Sequence, residues 1–284
     1  MNTQSSHLSI LFFGTPELCI PILQGLQEAG FDLSSVVTAP DRPVGRKQVL
    51  TSPPVKIWAT ERGIQVLQPE KLDDAAYATL EALRPDISIV VAYGQIMPQR
   101  FIDLPTHGTI NIHYSLLPAW RGASPVEHTI LEGEPETGVT IQKMVHALDA
   151  GPSISSARIE LDGTEFAPDL KEVLTEIGTD LLVETLPEYL NGNITPSPQR
   201  DEDHTMCYKI GRADGEINLS WPAKKLWRYY RAYYGWPGIF LFDEEKKRVK
   251  ITEAEYDEET ETFTILKVIP EGKKEMEYTQ FTNI

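Results

Sequence analysis

Apolar residues follow two rhythms along this chain. Short β-branched or aromatic runs, "LSILFFG" (8–14), "SSVVTAPD" (34–41), "IQVLQP" (64–69), "DISIVVAYG" (86–94) and "GTINIHYS" (108–115), end on polar or glycine-bearing turns, as buried strands do. Between them, "TPELCIPILQGLQEAG", "SPPVKIWATERG", "DDAAYATLEALRP" and "SPVEHTILEGE" space their apolar residues as helices do. Thr15 is a candidate N-cap for the first helix, with Pro16 in its first turn and Gly30 at its end. "TGVTIQKMVHALDAG" (137–151) reads as a strand running into a loop, and 167–192 as a long amphipathic helix. This alternation predicts an α/β fold, a Rossmann-like, doubly wound and mostly parallel sheet.

The rhythm breaks at "NGNITPSPQRDEDHT" (191–205), rich in Pro, Asn and Asp. Beyond it come one helix, "AKKLWRYYRAYYG", and short alternating strands, "GIFLF", "RVKITEAEY" and "TFTILKVIP". The pattern predicts a catalytic domain over 1–190, a linker over 191–207 and a small β-rich domain over 208–284. "YDEETETF" is read as a tight hairpin turn.

Composition narrows the class. With 284 residues, 41% hydrophobic and 24% charged, the chain has room for a large domain and a small one. No apolar run is long enough for a membrane span, and the N-terminus lacks the basic region of a signal peptide. Cys19 and Cys207 fit no metal spacing, so a reducing cytoplasm is the expected home. A net charge of −16 excludes an unspecialised nucleic-acid binder, though a focused basic patch remains compatible with it.

The chemistry must come from side chains of ordinary type. The first strand–helix turn, "FFGTPE", is no dinucleotide fingerprint, and no P-loop, zinc-protease or serine-elbow motif occurs. What remains is an amide, an imidazole and a carboxylate. Asn111 and His113 lie one residue apart at a strand end, so both point to one face. Asp149 follows in "HALDAG". A histidine can take the proton of an attacking amine. An asparagine N–H can stabilise an oxyanion, and a carboxylate can orient the histidine. On their own, N-x-H is compatible with a satisfied core pair, and Asp149 with a turn residue.

In company they are more specific. "NIHYSLLPAWRGASP", "ETGVTI" and "LDAG" resemble the formyltransferases that use 10-formyltetrahydrofolate, and "TAPDRPVGR", "SPPVK", "VVAYGQIMP", "DGEINLSWPA", "GWPG" and "PEGKKEM" resemble the tRNA branch of that family. The resemblance covers about Ser9 to Phe281. It implies formyl transfer from that folate, with no metal, to the amino group of methionyl-initiator-tRNA. A nucleotide-linked amino sugar is the alternative acceptor, and a silent RNA-binding module a third reading. The resemblance assigns catalysis to Asn111, His113 and Asp149. It gives folate contacts to Ser115, Leu116, Leu117 and Pro118, and pterin walls to Val91, Ala92, Tyr93, Gly94 and Leu148. Arg42, with Arg46 and Lys47 extending its charge, matches a loop that enters the tRNA acceptor end. On the helix of the second domain, Lys224, Arg228 and Arg231 fall on one face, and Leu226, Tyr230 and Tyr233 on another. That helix is read either as an RNA-binding face or as a packed one. The expected protein is a monomer with a shortened, OB-like C-terminal β-barrel.

Overall fold

The computed structural model describes residues 8–45 and 47–282. Seven strands form one sheet in the order Ser153–Glu160, Glu136–Lys143, Thr109–His113, Ile87–Val91, Ser9–Gly14, Asp32–Val37, Gln65–Leu67. The last five of these pair in parallel, and Glu136–Lys143 joins Thr109–His113 antiparallel. Ile87–Val91 is buried at every position, which is why its sequence is apolar on both faces apart from the small Ser88. The strand Ser153–Glu160 has no counterpart in the apolar runs of the sequence. It lies at the sheet edge and is mostly solvent-facing, so alternating polar residues replace the apolar run.

From Ser9–Gly14 the chain first builds one side of the sheet and then returns to build the other, starting with Ile87–Val91. The two strands at this reversal leave a crevice beyond their carboxyl ends, where open α/β sheets bind ligands. Gly14 sits there because nothing larger fits: a Cβ would meet the Cys19 thiol at 2.8 Å and the Val91 carbonyl at 3.0 Å. Thr15 does not cap the first helix, which runs Cys19–Glu28. Its hydroxyl instead donates to the Tyr93 carbonyl at 3.1 Å and accepts from the Ala39 amide, tying together the ends of three strands.

The chain divides into two compact units. One takes the residues up to Arg121 with Gly138–Arg158 and Glu172–Thr205; the other takes Gly122–Thr137, Ile159–Lys171 and the chain from Met206 onward. Two stretches from within 1–190 therefore pack with the C-terminal part. In this second unit Phe166 sits edge-on against Trp227, Tyr230 and Tyr234 of the helix Ala223–Ala232. Its β structure is a four-stranded antiparallel sheet in the order Phe240–Phe242, Arg248–Asp257, Thr262–Pro270, Met276–Glu277. Asp257 pairs with Thr262, so "YDEETETF" forms the expected tight hairpin. No helix among the described residues is long and apolar enough to cross a membrane.

Candidate active site

Strand register sets what faces the N-x-H pair. Asn111 lies opposite Gln142, and His113 opposite Thr140. Directly opposed residues of an antiparallel pair point the same way, so these four polar side chains share one face of the sheet.

His113 is 6% exposed, and its Nε2 lies 2.8 Å from the Trp120 carbonyl. A carbonyl only accepts, so the neutral ring carries its proton on Nε2 and its lone pair on Nδ1. Nδ1 faces the Asp149 carboxylate at 3.8 Å. That is too long for a hydrogen bond and suits an ion pair once the ring takes a proton. Asn111 donates from Nδ2 to the Val90 carbonyl at 3.0 Å, which leaves the amide's second N–H for other work.

Gln142, 1% exposed, joins the other members. Its Nε2 donates to Asp149 at 2.9 Å and to Asn111 Oδ1 at 3.3 Å. The second bond fixes the Asn111 amide with its oxygen turned to Gln142 and its N–H groups turned away. Thr140 accepts from the Leu117 amide and donates to the Ser115 carbonyl, anchoring the start of the loop after His113.

Beside the imidazole, Trp120 at φ 59° and Asp149 at φ 47° hold left-handed backbone. Such conformations cost about 1–3 kcal/mol each and persist only when neighbours enforce them. Around Trp120, Ser115 Oγ donates to the Ala119 carbonyl at 2.5 Å, and the Trp120 amide donates to Thr205 Oγ1 at 2.8 Å. Around Asp149, Gln199 Nε2 donates to the carbonyls of Asp149 and Gly151 at 2.8 and 2.7 Å. Gly151 is required by close approach, since a Cβ there would stand 1.7 Å from the Lys143 carbonyl.

The structure thus brings Asn111, His113 and Asp149 together. It redistributes the expected folate contacts. Val91 and Tyr93 are 1% and 4% exposed, and the Tyr93 ring packs edge-on against Phe13 inside the core. Burial pushes the Tyr93 hydroxyl up to about 12. Both side chains turn into protein, Val91 from the end of the buried strand Ile87–Val91 and Tyr93 from the turn after it. Ala92 and Gly94 remain exposed. Ser115 is fully buried and its hydroxyl holds the turn, so that side chain is closed to ligand as well. Leu116, Leu117 and Pro118 are half-buried, and Leu148, beside Asp149, is 62% exposed.

The basic residues divide likewise. Arg42 and Lys47 are exposed, and Arg46 lies outside the described residues. Arg42 stands on a short ribbon, Arg42–Val44 paired with Val49–Thr51, and contacts Glu70. Lys224 is exposed. Arg231 is not: it is 4% exposed and donates to the Glu165 carbonyl at 2.8 Å. Burial pushes its guanidinium below the ordinary arginine range, against the pull of the Glu165 charge. Arg228 lies against Gly133, where a Cβ would come within 2.0 Å of its Nη2. The three do not form one open basic face, because segments distant in sequence cover two of them.

Gln142, Gln199, Thr205 and the Trp120 carbonyl were not singled out by the sequence. Gln142 had a signal: Thr140 and Gln142 are polar at alternate positions of an apolar strand.

Comparison with known proteins places the chain in a family. The chain matches the family described as Formyl transferase over residues 8–186, and Formyl transferase, C-terminal domain, over 209–264. It is 43% identical over 254 residues to the methionyl-tRNA formyltransferase of Listeria monocytogenes serotype 4a, covering 89% of this chain and 81% of that protein. It is 40% identical over 231 residues to that of a Geobacillus species, covering 81% and 73%. Among solved structures, methionyl-tRNA formyltransferase from Clostridium thermocellum superposes with a TM-score of 0.61 at 16% identity, over 95% of this chain and 99% of that one. A sugar N-formyltransferase from a Shewanella species gives 0.68 at 16%, over 87% and 97%. These structural likenesses speak to the fold alone.

Proposed function

The chain belongs to the methionyl-tRNA formyltransferases, and from that premise we propose that Asn111, His113 and Asp149 move a formyl group from 10-formyltetrahydrofolate to the amino group of methionyl-initiator-tRNA. The amino-sugar acceptor is left with likeness at the level of fold only.

The donor supplies a formyl carbon on an amide-like nitrogen, which is open to attack by an amine. His113 Nδ1, with its lone pair free, accepts the proton that the amine sheds as the new N–C bond forms. It can return that proton to the departing nitrogen as the old N–C bond breaks, so the exchange is proton-neutral. Asp149 stabilises the imidazolium between those two moments. The second N–H of Asn111 is the donor for the oxygen that gains negative charge. The apolar surfaces of Leu116, Leu117, Pro118 and Leu148 suit a planar pterin, with the exposed backbone of Ala92 and Gly94 as hydrogen-bonding partner. Of the basic residues expected to meet RNA, Arg42, Lys47 and Lys224 are exposed. In this reading 1–190 carries the chemistry, 208–284 contacts tRNA, 191–207 links them, and the enzyme works in the cytoplasm alongside translation.

The observation that carries the reading is the meeting of an N–H donor, a proton acceptor and a carboxylate at the carboxyl end of one strand pair. A formylation assay with 10-formyltetrahydrofolate tests it, comparing charged initiator tRNA with free methionine and a nucleotide-linked amino sugar. Turnover is expected on the charged tRNA. Preference for the amino sugar would remove the proposed acceptor.

A further inference from the structure

The segment that leaves the catalytic unit for the rest of the chain is bonded into the active site at two places. Gln199 reaches the Asp149 loop, and Thr205 the Trp120 loop. We propose that Gln199 is a positioning residue, which holds the Asp149 carboxylate in its working orientation and acts on the reaction only through that residue. The inference rests on the reading of Asp149 given above.

The amide of Gln199 is fully engaged. Both N–H groups are directed to backbone carbonyls, those of Asp149 at 2.8 Å and Gly151 at 2.7 Å, and its oxygen accepts from Arg121 Nε at 2.9 Å. Arg121 is 6% exposed and also donates from Nη2 to Asp201 at 2.9 Å. The charge behind Gln199 polarises its amide and strengthens the two bonds it donates. Few side chains could take this place. A carboxylate would face two carbonyl oxygens, and a lysine or arginine would face Arg121. Only an amide offers two donors forward and an acceptor behind.

The consequence falls on Asp149. Its left-handed backbone needs an external restraint. Fixing the carbonyls of residues 149 and 151 fixes the peptide planes that follow Asp149 and Gly151, and with the first of them the direction in which Asp149 leaves the chain. Gln142 then takes one carboxylate oxygen, and the other is presented to His113. At the second attachment, Thr205 accepts from the Trp120 amide through Oγ1 and from the Arg121 amide through its carbonyl. That loop carries the carbonyl that sets the His113 tautomer. Both partners of the imidazole are therefore held by one nine-residue stretch, Ser197 to Thr205.

The test uses the full chain with Gln199→Ala and Gln199→Met, the second keeping the volume without the donors. Each is combined with Asp149→Ala. A displacement of about 1 Å in a catalytic group costs up to roughly a hundredfold, so kcat should fall about 10- to 100-fold in both single variants. The KM values for folate donor and charged tRNA should stay within about twofold, and in the Asp149→Ala background either Gln199 change should have no further effect, as expected for residues acting as one unit. Wild-type kcat in Gln199→Met, or the same fold-loss with and without Asp149, overturns the inference. A lowered melting temperature with kcat intact does so too, since it marks a structural tether. Wild-type turnover in Asp149→Ala alone would overturn the reading of the site together with the inference. Loss in Asp149→Ala alongside intact kcat in the Gln199 variants overturns the inference and leaves the reading standing.

Discussion

His113 has two ring nitrogens, and the Trp120 carbonyl decides which can accept a proton. With Nε2–H committed to that carbonyl, the nitrogen left to accept a proton is Nδ1, on the side of Asp149. His113→Ala should lower turnover about 10²–10⁴-fold, the usual contribution of a general acid–base group. Asn111→Ala should cost roughly 10²–10³-fold if its second N–H meets the oxyanion. Single-turnover formylation of charged tRNA measures both, and a His113→Ala rate within a few-fold of wild type would remove the imidazole from the mechanism. Asn111, His113 and Asp149 were legible because their residue types carry chemistry that the neighbouring apolar sequence does not need. Gln142 and Gln199 were harder to read, because a glutamine reveals its task only through its partners: Gln142 joins Asp149 to Asn111, 31 residues away, and Gln199 reaches Asp149 from 50 residues away. Val91 and Tyr93 show the converse. A stretch that is apolar throughout does not disclose which of its side chains turn into the core and which stay exposed.

At the scale of elements, the apolar runs gave the central strands and most helices, because burial on both faces leaves a continuous signal. They missed Ser153–Glu160, whose edge position needs none. The helix Ala223–Ala232 shows another limit. Spacing puts Lys224, Arg228 and Arg231 on one face but cannot say what covers it. Arg231→Ala should therefore lower stability by about 1–3 kcal/mol, through the lost charge-assisted bond and an unpaired Glu165 carbonyl. It should leave the tRNA KM unchanged while the protein is folded, and thermal melts beside formylation kinetics separate the two effects. The ribbon of Arg42 makes a different prediction. A two-stranded ribbon is marginal alone, and this one exposes Val44, Val49 and Leu50. Its base is tied by Asp41, which accepts from Gln68, Lys56 and Ser52. The Gln68 bond and then the Lys56 contacts lower the Asp41 pKa below its ordinary value of 3.8. The sign follows. The tie is complete above that value and is lost only as pH falls through the lower folded value. Limited proteolysis of the ribbon should be flat from neutral pH down to about 4 and rise below it, whereas Asp41→Asn should be cleaved faster even at neutral pH.

For the molecule as a whole, charge is the governing quantity. A net −16 repels a polyanion at long range, so tRNA must be held by few, local contacts. The helix Ala223–Ala232 adds less to them than its spacing suggests, because Arg231 is buried and Arg228 is packed against Gly133. Lys224 and Lys225 are both exposed, Lys225 lying over the Trp221 ring at 4.1 Å. Of the residues expected to meet tRNA, Arg42, Lys47 and Lys224 are the exposed ones among the described residues. Each phosphate contact contributes roughly −0.7 to −0.9 to the slope of log affinity against log salt, so three contacts predict a slope of about −2 to −3. The measurement is the formylation KM for charged initiator tRNA across a salt series. Lys224→Glu with Lys47→Glu should raise that KM and flatten the slope by roughly one per contact removed, with donor KM unchanged. Arg228→Glu is a poorer probe, because it would disturb packing against Gly133 and confound affinity with stability. A wild-type slope steeper than about −6 would require many more phosphate contacts than these cations can make. The identification of the tRNA-binding residues, though not of the reaction, would then fall.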